Sequence, residues 1–150
     1  MSDTSLPADM LSRITDAIES IQRNVTALQE RQDLSREAYK ADRNRDLRDA
    51  VERKFEKLAE AVLDVADQIC KHERGLSTTY RKERIRTLED EGVISPSISQ
   101  DLQEAVGFRD VLSHSYGPIV NDDLVYDALQ NGLDRYVEFA AAIRTYVRDS

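Results

Sequence analysis

Met10-Leu11-Ser12-Arg13-Ile14-Thr15-Asp16-Ala17-Ile18-Glu19-Ser20-Ile21-Gln22-Arg23-Asn24-Val25-Thr26-Ala27-Leu28 places Met10, Ile14, Ile18, Ile21, Val25 and Leu28 at steps of 4, 4, 3, 4 and 3. Those steps line one face of a 3.6-residue helix and lack the alternation of a strand. A first helix from about Pro7 to Gln32 follows. Its apolar face must find a partner.

The pattern returns further along. From about Asp46 to His72 the stripe is Val51, Phe55, Leu58, Val62, Val65 and Ile69, with Ala59, Ala61 and Ala66 beside it. Between these helices, Gln32 to Arg45 is polar and reads as a connector, with Ser35 positioned to cap a short helical piece holding Ala38 and Tyr39. Gly75 ends the second helix, and Lys71 and His72 fall in its last turn, where positive charge is favoured. A third helix, about Thr79 to Glu91, carries Tyr80, Ile85 and Leu88 and is stopped by Gly92. A fourth starts at Pro96 with Ser97 or Ser99 as cap, and carries Ile98, Leu102, Ala105, Val106 and Leu112 until Gly117-Pro118 forbids continuation. Asn121 or Asp122 caps a fifth, running to about Val147 with Val125, Leu129, Leu133, Tyr136, Ala140, Ile143 and Val147. Long helices with short connections predict an all-α, antiparallel bundle of about five helices.

At 150 residues one domain is expected, preceded by a disordered tail over residues 1–7. Cys70 is the single cysteine, so no internal disulfide forms; its apolar helical setting predicts a buried thiol. No Cys/His cluster offers a metal site. No stretch reads as a signal peptide or membrane span, and a cytoplasmic location is expected. The net charge of −8 argues against general nucleic-acid coating while leaving room for a small basic site.

One segment is rich in chemistry: Gly107-Phe108-Arg109-Asp110-Val111-Leu112-Ser113-His114-Ser115-Tyr116. Arg109 offers a permanently charged fork suited to phosphate, and His114 the side chain that titrates nearest neutrality. Five residues on an unbroken helix turn them about 140° apart, so they share a site within one chain only if the helix ends near Ser113. The plain alternative stands beside this. Arg109 is in register with Ala105 and Leu112 and would lie along the edge of the core stripe, His114 would cap the helix, and Tyr116 would pack.

The segment from Gly107 to Tyr116 resembles the Arg-x-x-x-x-His-x-Tyr signature of HepT-like toxins in the HEPN superfamily. Further likeness lies in Arg48-Asp49-Ala50-Val51-Glu52-Arg53 and the Ala-rich run to Ile69. Glu91-Gly92-Val93-Ile94 and Asp123-Leu124-Val125-Tyr126 add to it, so that it spans roughly Leu11 to Val147. The resemblance implies a single HEPN-like helical domain over residues 8–150, a homodimer, and a metal-independent, cofactor-free ribonuclease. It implies Arg109 and His114 as the catalytic pair. It also implies a minimal nucleotidyltransferase antitoxin that transfers AMP to Tyr116 and silences cleavage of the RNA substrate. Where the family commonly has Asn after the motif Arg, this chain has Asp110, a carboxylate able to pair with Arg109 and weaken its hold on phosphate. Two other readings compete: a non-catalytic module that binds a nucleotide or a nucleotidyltransferase, and a structural protein whose Ile14–Leu28 stripe seeks a partner helix.

Overall fold

In the computed structural model, residues 5–114 and 121–150 are described, with backbone alone at 111, 113 and 114. The first stripe forms α1, Ala8–Gln29. The second forms α3, Arg45–Arg74, the longest helix described. Ile14, Ile18, Ile21, Val25 and Leu28 of α1 are all buried, as are Val51, Phe55, Leu58, Val62, Val65 and Ile69 of α3. The two helices pack against each other more extensively than any other pair described. The Ile14–Leu28 stripe is thus consumed inside the fold, which removes the partner-seeking reading of it.

Between them, α2 (Arg36–Lys40) is the short helical piece expected at Ser35, whose hydroxyl accepts from the Ala38 N–H at 3.1 Å. A single 3₁₀ turn, Asp42–Asn44, leads into α3. Next come α4 (Arg81–Asp90) and α5 (Pro96–His114). Gly75 and Gly92 take left-handed conformations, φ 78° and 74°, at the ends of α3 and α4, which only glycine does cheaply.

Two expectations need correction. The cap of α5 is Ser95, not Ser97 or Ser99: its hydroxyl accepts from the Ile98 N–H at 3.1 Å. Pro96 occupies the first helical position, so the cap is the residue before it. The fifth helix is two helices, α6 (Asp122–Asn131) and α7 (Asp134–Arg148), which together with the expected short α2 makes seven among the described residues. The break falls at Gly132, whose N–H donates to the Ala128 carbonyl at 2.8 Å. A Cβ there would stand 2.9 Å from that oxygen. Leu133 stays buried, so the apolar stripe crosses the break without losing phase. Asn121 caps α6 as expected, accepting from Asp123 and Leu124 N–H groups.

Four helices close a ring: α1 packs on α3, α3 on α5, α5 on α7, and α7 on α1. Across one side, α4 lies against both α3 and α5. At one end the connector is clamped to α6. Tyr126 donates to the Leu34 carbonyl at 2.7 Å, Gln32 and Gln130 exchange side-chain bonds with backbone carbonyls, and Arg36 pairs with Asp123 and Asp127. Arg48 of α3 braces the same corner, donating to the Tyr39 and Ala41 carbonyls at 2.8 and 2.7 Å. Exposed ion pairs of this kind contribute about 0–1 kcal/mol each, whereas each large apolar side chain buried in the ring contributes about 1.5–3 kcal/mol. The core therefore sets stability and the polar clamp sets geometry. Cys70 is buried, its thiol donating to the Arg84 carbonyl, and no helix of the described residues is long and apolar enough to cross a membrane.

Gly132→Ala is expected to destabilise the fold by about 1–3 kcal/mol, because the new methyl overpacks against the Ala128 carbonyl. Thermal unfolding followed by circular dichroism reads this as a fall of several degrees. A rise would mean that α6 and α7 merge into one helix without cost.

Candidate functional site

Leu102, Ala105, Val106 and Leu112 of α5 are buried, and Phe108 packs edge-on against Phe55 of α3, ring centroids 5.5 Å apart. That anchoring fixes the rotation of α5 and brings the next residue, Arg109, against α3. The Arg109 side chain is only 18% exposed, at the edge of the core stripe as its register with Ala105 and Leu112 predicts.

Its charge meets two carboxylates. One guanidinium nitrogen lies 3.5 Å from Glu60 of α3, and the other donates to Asp110 at 3.4 Å. Arg109 Nε is buried with no hydrogen-bond partner among the described residues. Asp110 does pair with Arg109, as its position suggested, but its shorter bond is to Arg81 at the start of α4, 2.6 Å. Asp110 thus ties α4 to α5 while bordering Arg109.

Glu60, Arg81 and Lys82 were not legible as site residues. Each reaches the motif from another helix. The Lys82 ammonium lies 3.6 Å from where a Cβ on Gly107 would be, so Gly107 lets the lysine rest on α5 two residues before Arg109. The one sequence signal for this side is the basic run Arg81-Lys82-Glu83-Arg84-Ile85-Arg86.

Glu60 also lines a polar groove of about 590 Å³ between α1 and α3, with Arg13, Asn24, Lys57 and Asp64. Burial, then the nearby charges of Glu60 and Asp67, raise the pKa of Asp64. Carboxylates outnumber cations in this groove by four to three, while Arg81 and Lys82 bring positive charge from α4.

α5 is helical through His114, so positions 109 and 114 stand about 140° apart around its axis, and the earlier helix end that would let them share a site within one chain does not occur. The His114 side chain and all of Tyr116 lie outside the described residues. His72 sits in the last turn of α3, as expected. Among the described residues no group of His, Cys, Asp and Glu is arranged to hold a metal ion.

Comparison with known proteins follows from this layout. A family model described as "Ribonuclease HepT-like" matches residues 14–143. Among curated sequences none matches. Among solved structures the chain is similar to a toxin–antitoxin determined with AMP-PNP, with TM-score 0.79 and 21% identity over 89% of this chain and 98% of that one. It is also similar to a tri-AMPylated Shewanella oneidensis HEPN toxin in complex with MNT antitoxin. Here the TM-score is 0.78 and the identity 23%, over 89% of this chain and 97% of that one. At these identities the two structures establish the likeness of fold.

Asp110→Asn is expected to lower stability by no more than about 1 kcal/mol, since the Arg81 pair is half exposed. It should also strengthen the response of the Arg109 Nε–H resonance to added inorganic phosphate. An unchanged phosphate titration would mean that Asp110 does not compete for Arg109.

Proposed function

The chain belongs to the HepT-like ribonuclease family, and from that premise we propose that it is the toxin of a toxin–antitoxin pair. In this reading it is a metal-independent endoribonuclease, silenced by AMPylation of Tyr116. The observation that supports the reading most is the placement of Arg109. A guanidinium only 18% exposed, oriented by Phe108 and bordered by α3 and α4, stands five positions before His114 on the same unbroken helix, a spacing that calls on two protomers to bring an Arg109 and a His114 to one phosphate.

RNA supplies its own nucleophile. The ribose 2′-oxygen attacks phosphorus, the bond from phosphorus to the 5′-oxygen breaks, and a 2′,3′-cyclic phosphate and a 5′-hydroxyl result. Arg109 stabilises the charge that builds on the phosphorane oxygens. His114 takes the 2′-hydroxyl proton or protonates the leaving 5′-oxygen, help typically worth about 10²–10⁴-fold. One chain provides one motif histidine, and a two-fold homodimer provides a base and an acid. The partner is a minimal nucleotidyltransferase antitoxin; the AMP groups on the Shewanella toxin support that assignment. An AMP on Tyr116 would add bulk and negative charge two residues from His114, repelling RNA.

A second reading is favoured by one observation: Glu60 and Asp110 already stand beside the Arg109 guanidinium. In it the chain binds a nucleotide or a nucleotidyltransferase and cleaves nothing. Purified wild type would then show that binding and leave RNA intact.

Expression of wild type alone in an inducible host is expected to arrest growth. Arg109→Ala and His114→Ala should each abolish the arrest while circular dichroism shows a folded bundle. A folded His114→Ala that still arrests growth removes the catalytic assignment. Tyr116→Phe is expected to remain toxic and to escape neutralisation when the antitoxin is co-expressed. Full neutralisation of Tyr116→Phe would show that control does not act through this tyrosine.

A further inference from the structure

The chain is acidic as a whole, yet between positions 81 and 86 it carries four cations and one carboxylate. On α4 the four divide. Arg84 turns inward, its Nε donating to the Thr78 carbonyl at 2.8 Å. Arg81, Lys82 and Arg86 line an open groove of about 750 Å³, together with Tyr80 and Asp110. Tyr80, immediately before α4, is 73% exposed, the most of any large apolar side chain described. An aromatic ring with a free face beside a row of cations suits single-stranded nucleic acid, in which bases stack and phosphates follow the charge.

The groove runs into the motif. Asp110 lines it and borders Arg109, Arg81 is bonded to Asp110, and Lys82 rests on Gly107. Its other carboxylate, Glu83, pairs with Arg86 at 2.7 Å and is itself half exposed, so a phosphate can displace it at small cost. The α1–α3 groove lined by Glu60 carries four carboxylates against three cations, whereas the α4 groove carries three cations against two carboxylates, so α4 is the more favourable approach for a polyanion.

We propose that the face of α4 formed by Tyr80, Lys82 and Arg86 is the track on which single-stranded RNA lies as it enters the Arg109 site. Tyr80 stacks a base, and Lys82 and Arg86 hold phosphates beside the one to be cleaved. Arg81 is a positioning residue that fixes α4 to α5 through Asp110. The proposal rests on the nuclease reading in one respect: Arg109 marks the scissile phosphate.

The test uses the purified full chain and a fluorescein-labelled 2′-O-methyl RNA 12-mer, which binds but lacks the attacking hydroxyl. Tyr80→Ala is expected to weaken binding roughly tenfold. Lys82→Gln with Arg86→Gln should flatten the slope of log K against log salt by about 1.4, two phosphate contacts on a single strand. The charge-matched pair Arg144→Gln with Arg148→Gln, on α7, should change affinity less than twofold. The track is overturned if wild type does not bind the 12-mer, if the α4 variants bind as wild type does, or if the α7 pair weakens binding equally. It is also overturned if the α4 variants keep RNA affinity but lose the co-purifying nucleotidyltransferase, which would make this face a partner-docking surface. Cleavage of the unmodified 12-mer is read separately. Absent cleavage, with binding still dependent on α4, would sink the nuclease reading and leave the track standing.

Discussion

The arrangement hangs on the burial of α3. A 30-residue helix with twelve buried positions cannot satisfy them against a single neighbour. Its apolar residues need cover on several sides, and α1, α4 and α5 provide it. Once α3 is enclosed, little freedom remains. Phe55 fixes Phe108, Phe108 fixes the rotation of α5, and that rotation places Arg109 opposite Glu60. The position of the candidate site is thus a by-product of packing, and its chemistry is decided by which polar residues occupy the rim.

At that rim, competition among charges governs the outcome. Two unit charges 4 Å apart attract by about 4 kcal/mol near a protein surface and by about 1 kcal/mol in water. Glu60 and Asp110 are about half and two-fifths exposed, so their hold on Arg109 lies toward the weaker figure. On the proposed RNA track, a phosphate with its two neighbours held on α4 would exceed it. The net charge of −8 works in the same direction, since it disfavours any polyanion except where cations are gathered.

Most helices were legible in the sequence because a one-sided apolar stripe has few alternative readings. The boundaries of α1, α3, α4 and α5 fall within a few residues of those expected. The α6–α7 break was not legible for a physical reason: Leu129, Leu133 and Tyr136 keep helical steps across it and all stay buried, so periodicity carries no trace of the interruption. Gly132 was the only mark. The site was half legible. Arg109 and its pairing with Asp110 could be read locally, since the two are adjacent. Glu60, Arg81 and Lys82 could not, because only the fold brings α3 and α4 to α5, and no spacing rule connects residues on separate helices.

The closing of the ring by α7 against α1 has a consequence for the order of synthesis. The α7 segment leaves the ribosome after the motif-bearing α5. Until it docks, the apolar faces of α1 and α5 that it covers stand open to solvent, and the helix holding Arg109 lacks one of its walls. A bundle closed by α1 and α7 completes its core only once α7 has emerged. Until then the chain holds its motif on an unfinished scaffold, and any activity that depends on a rigid α5 waits for α7 to dock.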